Sequence, residues 1–224
     1  CACGGTVSSG GISLQANWPH VNGTVRALSH DAVNDIVYFG GSFSRVGPEE
    51  PFGAKVNTSN GSVDYLFPNP NGSVEVAVPD GAGGWYIGGY FTKIGGVVRN
   101  RVARINADGS LHAWNPNANF GVEAIVVAGS TVYLGGSFSS IGGQPRVFLA
   151  AVNSTTGVPT SWNPGATGST VLSLALNGTT LYVGGFLNSL GGTARTNAGA
   201  LNTVTGSATA WNPAPNNAIM SMVV

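Results

Sequence analysis

An arginine stands eleven residues after the first glycine of a Gly–Gly pair at three places in the chain, as Arg99, Arg146 and Arg195. Three guanidinium groups at equivalent positions could ring an anion, since each offers a planar fork of donors. The same donors could instead cap loop carbonyls or stack on a neighbouring aromatic ring. A fourth Gly–Gly pair has Pro51 at this place, so any such ring is incomplete.

The carboxylates limit the chemistry further. Glu123 is the last acidic residue, and none occurs in the following 101 positions. This excludes paired-carboxylate hydrolysis, or a calcium site in every repeat, from the second half. The first half holds Asp31, Asp35, Glu49, Glu50, Asp64, Glu75, Asp80, Asp108 and Glu123, with Asp80 and Asp108 each directly before a glycine in turn context. A hydrolytic or ligand-binding site would need at least two of Asp31, Asp35, Asp64, Glu75 and Glu123 within about 6 to 9 Å of each other. Their spacing instead predicts dispersal over outer turns.

His20, His30 and His112 occupy non-equivalent places and show no His-x-His or His-x-x-x-His spacing, so no metal site is expected. No glycine-rich turn leads from strand to helix, which removes a nucleophile elbow, and no Gly-Lys-Ser/Thr ending supports a phosphate-binding loop. No cofactor and no catalytic residue is expected. Asn-x-Ser/Thr sequons occur at Asn22, Asn57, Asn60, Asn71, Asn153 and Asn177, mostly beside turn glycines. They are open to two readings, turn chemistry or glycosylation of an extracellular chain.

Composition bears on partners. Charged residues make up 8% of the 224 positions and the formal net charge is zero. Nucleic acid is excluded as a partner, because phosphate binding needs concentrated positive charge. No apolar run approaches the roughly 18 residues of a membrane-spanning helix. Cys1 and Cys3 are too close in sequence for an unstrained bridge. They read as unpaired thiols, as partners of another chain or missing segment, or as a lipidated Cys1; a chain opening on cysteine reads as processed or as a fragment.

The elements that position these residues repeat. VYFGGSFSRVG from Val37, WYIGGYFTKIGG from Trp85, VYLGGSFSSIGG from Val132 and LYVGGFLNSLGG from Leu181 place their first glycines at Gly40, Gly88, Gly135 and Gly184. The pairs are completed by Gly41, Gly89, Gly136 and Gly185, and each is preceded by a tyrosine, Tyr38, Tyr86, Tyr133 or Tyr182. Trp18, Phe67, Trp114, Trp162 and Trp211 recur in the same phase. Within the third copy, strands are predicted at 122–128, 131–138, 147–153 and 159–162. Four short strands in a repeat of this length predict an all-β fold, a β-propeller of four-stranded antiparallel blades. The tyrosines would fill the wedge between blades, the Gly–Gly pairs would admit a close backbone or a bulge, and the tryptophans would anchor the fourth strands.

These copies resemble the delta-60-repeat family of β-propellers, with its tyrosine, Gly–Gly, aromatic, Gly–Gly, arginine and Trp-Asn-Pro corner, and are also similar to fungal cell-surface polarity-marker propellers. The resemblance spans nearly the whole chain and implies a secreted or surface-exposed scaffold with no catalytic residue set.

An N-terminal segment is expected at 1–10 and a propeller domain at 11–224. Its repeats fall at about 21–69, 70–117, 118–165 and 166–215, with closing strands at 11–19 and 218–224. The ring is either five-bladed with one incomplete blade, or part of a six- to eight-bladed ring. The expected function is a non-catalytic extracellular or cell-surface structural and adhesive scaffold. Its expected partners are other protein copies, surface polymers or glycans, and unpaired strand edges would allow a homo-oligomer or filament. The alternative is a ligand-binding or hydrolytic propeller with its site at the central channel near the acidic first half.

Overall fold

The computed structural model describes residues 6–8, 11–13, 21–46, 52–63 and 68–224. Trp18, Phe67, Cys1, Cys3, His20, Glu49, Glu50, Pro51 and Asp64 lie outside the described residues. All regular secondary structure of the described residues is β-strand. β1 (Thr6–Ser8) and β2 (Gly11–Ser13) form a short hairpin. The first antiparallel sheet holds β3 (Thr24–Asp31), β4 (Ile36–Ser42) and β5 (Gly53–Asn57). The second holds β6 (Val74–Pro79), β7 (Trp85–Gly89) and, after a small hairpin of β8 (Lys93–Ile94) and β9 (Val97–Val98), β10 (Val102–Ile105). The third holds β11 (Val122–Ala128), β12 (Thr131–Gly136) and, after the hairpin of β13 (Ser140–Ile141) and β14 (Gln144–Pro145), β15 (Leu149–Asn153). The fourth is built of β16 (Ala166–Asn177), β17 (Thr180–Leu190), β18 (Thr193–Ala194) and β19 (Ala198–Asn202).

In every sheet the strand carrying Tyr and Gly–Gly is central, with its ladder partners on either side. Their burial fits this place: β4, β7 and β12 are each buried at five consecutive positions, on both faces of the sheet. The first strands β3, β6, β11 and β16 pack side by side in chain order. Apolar clusters fill the space between successive sheets. Tyr38, Val74, Trp85 and Ile87 lie in one, Tyr86, Trp114, Val122 and Leu134 in the next, and Tyr133, Trp162, Val171 and Val183 in the last.

Two expectations change in detail. In the third repeat, the strand predicted at 131–138 ends at Gly136 and the one predicted at 147–153 starts at Leu149. The fourth strand, predicted at 159–162, is reduced to a single bridge, Val152 to Pro159. The same outer bridge recurs as Val56 to Val63, Ile105 to Leu111 and Leu201 to Ala208. Beyond the bridge, side-chain donors take over the carbonyls that a longer ladder would have used.

The closing strands also differ from expectation. Within 11–19, Gly11–Ser13 pairs with β1 and 14–19 is outside the described residues. Residues 218–224 form no strand. Each first strand of the four sheets takes its ladder partner from the Tyr–Gly–Gly strand directly after it. The segment still occupies a first-strand place, because Ile219 and Met222 lie against Gly184 as Val122 lies against Gly88 and Val171 against Gly135.

Candidate functional site

Each first strand carries a bulge opposite its Gly–Gly pair, between Val25 and Ala27, Val74 and Val76, Val122 and Ala124, and Val171 and Ser173. The glycines accept the crowding that results. A Cβ on Gly41, Gly89 or Gly136 would lie 2.1 Å from a main-chain oxygen of the first strand or its approach. The extra residue in each bulge is Arg26, Glu75, Glu123 or Leu172. A bulge breaks the two-residue alternation and re-aims that one side chain.

This re-aiming places two carboxylates on the sheets and not in outer turns. Glu123 accepts hydrogen bonds from the Tyr90 hydroxyl of the second sheet, from Ser137 at 3.1 Å, and from Thr170 of the fourth sheet at 2.8 Å. Glu75 accepts from Ser73 at 2.8 Å and pairs with Arg26 at 3.5 Å. The Tyr90 hydroxyl pKa is raised by burial first and then by its bond to Glu123. Glu123 thus ties the second, third and fourth sheets together, and Glu75 ties the second to the first through Arg26. The available signal is the motif Val-x-Val/Ala opposite the first three Gly–Gly pairs, with Val171-Leu172-Ser173 opposite the fourth.

The remaining described Asp residues do fall in separate turns. Asp31 accepts from Val33 and Asn34, and Asp35 from the hydroxyls of Thr58 and Ser59. Asp108 accepts from Ser110, while Asp80 caps its own turn and pairs with Arg104 at 2.7 Å. His112 accepts the Trp114 N–H at its Nδ1 (2.9 Å), and burial, then Arg104, holds its pKa below the usual value. Among the described residues no group of three or more His, Cys, Asp or Glu could hold a metal ion.

Arg99, Arg146 and Arg195 each bond main-chain carbonyls of their own repeat. Arg99 donates to Val98 O at 2.9 Å and His112 O at 3.1 Å. Arg146 donates to Pro145 O and Thr160 O, and Arg195 to Ala194 O and Thr209 O. Each guanidinium thus clamps the loop after the central strand to the outer segment that follows the bridge. Removing the Arg146 clamp by Arg146→Ala leaves the part-buried Thr160 carbonyl without its charged donor, and is expected to cost about 1–3 kcal/mol in urea denaturation. Arg146→Lys should recover only part of this, since a point donor cannot span both carbonyls.

Five of the six sequon asparagines hold loops, Asn60 by accepting from Ser62 N at 2.9 Å. Asn22 accepts from Ser44 N and Arg45 N, and Asn71 accepts from Thr92 N and Lys93 N. Asn119, which begins no sequon, does the same with Ser139 and Ser140. Asn57 and Asn153 form Asx turns that Asn202, also outside a sequon, repeats. Asn60 and Asn177 are exposed at turns.

The recurring aromatics close the interfaces between sheets. Tyr86 packs edge-on to Trp114 at 4.9 Å, and Tyr133 to Trp162 at 5.1 Å. Beside Tyr38 the ring is Trp85 at 5.6 Å. Burial raises the pKa of Tyr38, Tyr86, Tyr90 and Tyr133 above the ordinary 10.0. A raised folded-state pKa means stability is whole below the unfolded value and is lost as pH climbs past it. Phenolate absorbance of the native chain should therefore lag behind that of the unfolded chain, and alkaline unfolding should set in above pH 10.0.

An exposed rim was not anticipated. Tyr90 and Phe120 are exposed and meet edge-on at 6.1 Å, with the Arg101 guanidinium 5.9 Å from the Phe120 ring. Arg101 lies in the left-handed region (φ 67) and also donates to Tyr90 O. Next to it a groove of about 330 Å³ is lined by Asn100, Arg101, Asn117, Asn119 and Ser140 among others. Nothing in the repeat pattern marks these residues, because Phe52, Phe148 and Asn197 share the same backbone conformation with different side chains.

Comparison with known proteins bears on the architecture. A family model described as a domain of unknown function (DUF5122) beta-propeller matches residues 83–111. A chain of a nidogen/laminin complex is similar in structure, at 12% identity and TM-score 0.59, over 89% of this chain and 68% of that one. The computationally designed Ika4 protein is similar at 13% identity and TM-score 0.54, over 82% of this chain and 95% of that one. The fold is a β-propeller. No curated protein matches the chain in sequence. In this propeller the Gly–Gly, Tyr and Arg positions are where blades are joined and clamped, and the variable side chains stand on the rim.

Proposed function

We propose that the chain is a non-catalytic, extracellular or cell-surface scaffold of the delta-60-repeat type, working through protein or glycan contacts. The observation that supports this reading most is the rim formed by Tyr90, Phe120 and Arg101 beside the amide-lined groove. Exposed aromatic edges supply contact area at low entropic cost, and Asn, Ser and Arg groups supply hydrogen bonds to hydroxyls and main chain. Low surface charge suits neutral partners such as polysaccharide. The test is capture of immobilised polysaccharides and cell-surface extracts by the wild type and by Tyr90→Ser/Phe120→Ser. Loss of capture in the double variant is expected, and capture that is unchanged in it would remove the rim from the reading.

One observation favours a second reading, a ligand-binding or hydrolytic site. Glu123 accepts from the hydroxyls of both Tyr90 and Thr170 beside the exposed rim. Turnover of glycoside or ester substrates that Glu123→Gln abolishes would establish it.

A further inference from the structure

The interfaces between blades use the same two donors and the same two acceptors. Tyr86 donates its hydroxyl to Ser154 O at 3.1 Å, and Trp114 its Nε1–H to Asn153 O at 2.9 Å. One blade on, Tyr133 donates to Thr203 O at 3.4 Å and Trp162 to Asn202 O at 3.3 Å. The fourth sheet presents a third pair of the same geometry, Tyr182 and Trp211, with ring centroids 5.1 Å apart and planes at 89°. Among the described residues no carbonyl accepts from either. Trp211 is 41% exposed, where Trp114 and Trp162 are 1% and 8% exposed.

The first sheet carries the reciprocal surface. Asn57 makes the same Asx turn as Asn153 and Asn202, so the carbonyls of Asn57 and Thr58 stand at the acceptor positions. Val25 and Leu28 match Val74 and Ala77, Val122 and Ile125, and Val171 and Leu174 in ladder register. Those six are at most 9% exposed, whereas Val25 is 44% and Leu28 71% exposed.

We propose that these two faces bind each other between copies of the chain. The first sheet of one copy packs on the fourth sheet of the next, with Trp211 donating to Asn57 O and Tyr182 to Thr58 O. The contact continues an interface the molecule already builds between its own blades, which is why the occupant is a second copy. It is head-to-tail, so it propagates into an open chain or closes into a ring. The segment 218–224 competes for the same place. Ile219 and Met222 cover Gly184, but the segment forms no ladder, and Ser173 Oγ–H to Ile219 O ties it across at 3.0 Å. Displacing it costs little beside the blade face gained. The inference rests on reading the chain as a contact-making scaffold and names the partner.

Sedimentation velocity over a concentration series tests it, with wild type, Trp211→Glu, Leu28→Asp and an equimolar mixture of the two variants. The wild type should grow in mass with concentration, and each variant alone should stay monomeric. The mixture should form a two-copy complex and nothing larger, because each variant retains one working face. A chain ending at Asn217 should associate several-fold more tightly than wild type. Should a charged variant fail to fold by circular dichroism, Trp211→Phe keeps an aromatic ring while losing the Nε1–H and the second ring of the indole, and should weaken association at least about fivefold. A wild type that is monomeric at every concentration, with or without 218–224, overturns the proposal and leaves the face to a further repeat in the same chain. Variants that associate as wild type overturn it equally. Capture through Tyr90 and Phe120 persisting in a monomeric wild type would leave the scaffold reading standing, so the two failures are distinguishable.

Discussion

Gly136→Ala is expected to destabilise the chain by about 3 kcal/mol or more, a large share of the 5–15 kcal/mol that holds a domain folded. A Cβ at this position would lie 2.1 Å from Gly121 O and 3.1 Å from Phe138 Cδ1. The oxygen belongs to the backbone, so no rotamer change relieves the contact. Retreat in the other direction is blocked as well, because Gly136 N–H is bonded to Phe148 O at 3.0 Å. The strand must shift, and with it the bulge that aims Glu123 at Tyr90 and Thr170. Gly143→Ala separates this crowding from the general cost of losing a glycine. Gly143 has φ +75 with nothing within 4 Å of its added Cβ, so only left-handed strain of about 1–2 kcal/mol applies. Urea midpoints at unchanged slope measure both. A Gly136→Ala chain within about 1 kcal/mol of Gly143→Ala would sink the close-approach account.

How far the sequence exposes this architecture depends on whether a feature repeats. Tyr, Gly–Gly and Trp recur with one period because each interface between blades poses the same packing problem, and that period makes the β-propeller readable. The outer strand is less readable, since Pro159 and its neighbours look like a strand while Arg146 takes the Thr160 carbonyl that a ladder would need. The rim escapes for the opposite reason. Phe52, Arg101, Phe148 and Asn197 share a left-handed backbone at one place in the repeat, yet none is glycine, so nothing local betrays the conformation. Glu75 and Glu123 look like ordinary exposed positions of an alternating strand. Only the bulge, set by the glycine pair on the facing strand, turns Glu123 toward Tyr90 and Glu75 toward Arg26.

Trp114→Ala is the second change expected to be severe, at about 3–5 kcal/mol. Trp114 is 1% exposed, stacks edge-on with Tyr86, and donates Nε1–H to Asn153 O, so one side chain joins the second sheet to the third. Truncation leaves a cavity between two sheets whose backbones are fixed by their own ladders and cannot collapse into it. It also leaves Tyr86 without its ring partner, although the Tyr86 hydroxyl keeps Ser154 O. Trp114→Phe divides the effect, since it preserves most of the ring contact and removes the hydrogen bond, and should cost about 1–2 kcal/mol. Trp211→Ala supplies the comparison, because the same residue type in the same repeat position is 41% exposed and bonds no carbonyl. In the monomer its loss should cost under about 1 kcal/mol. The difference between Trp114 and Trp211 then measures what a following blade contributes. If both tryptophans cost the same, the energy of the corner lies in its own sheet and not between sheets, and a neighbouring copy would gain little by docking there.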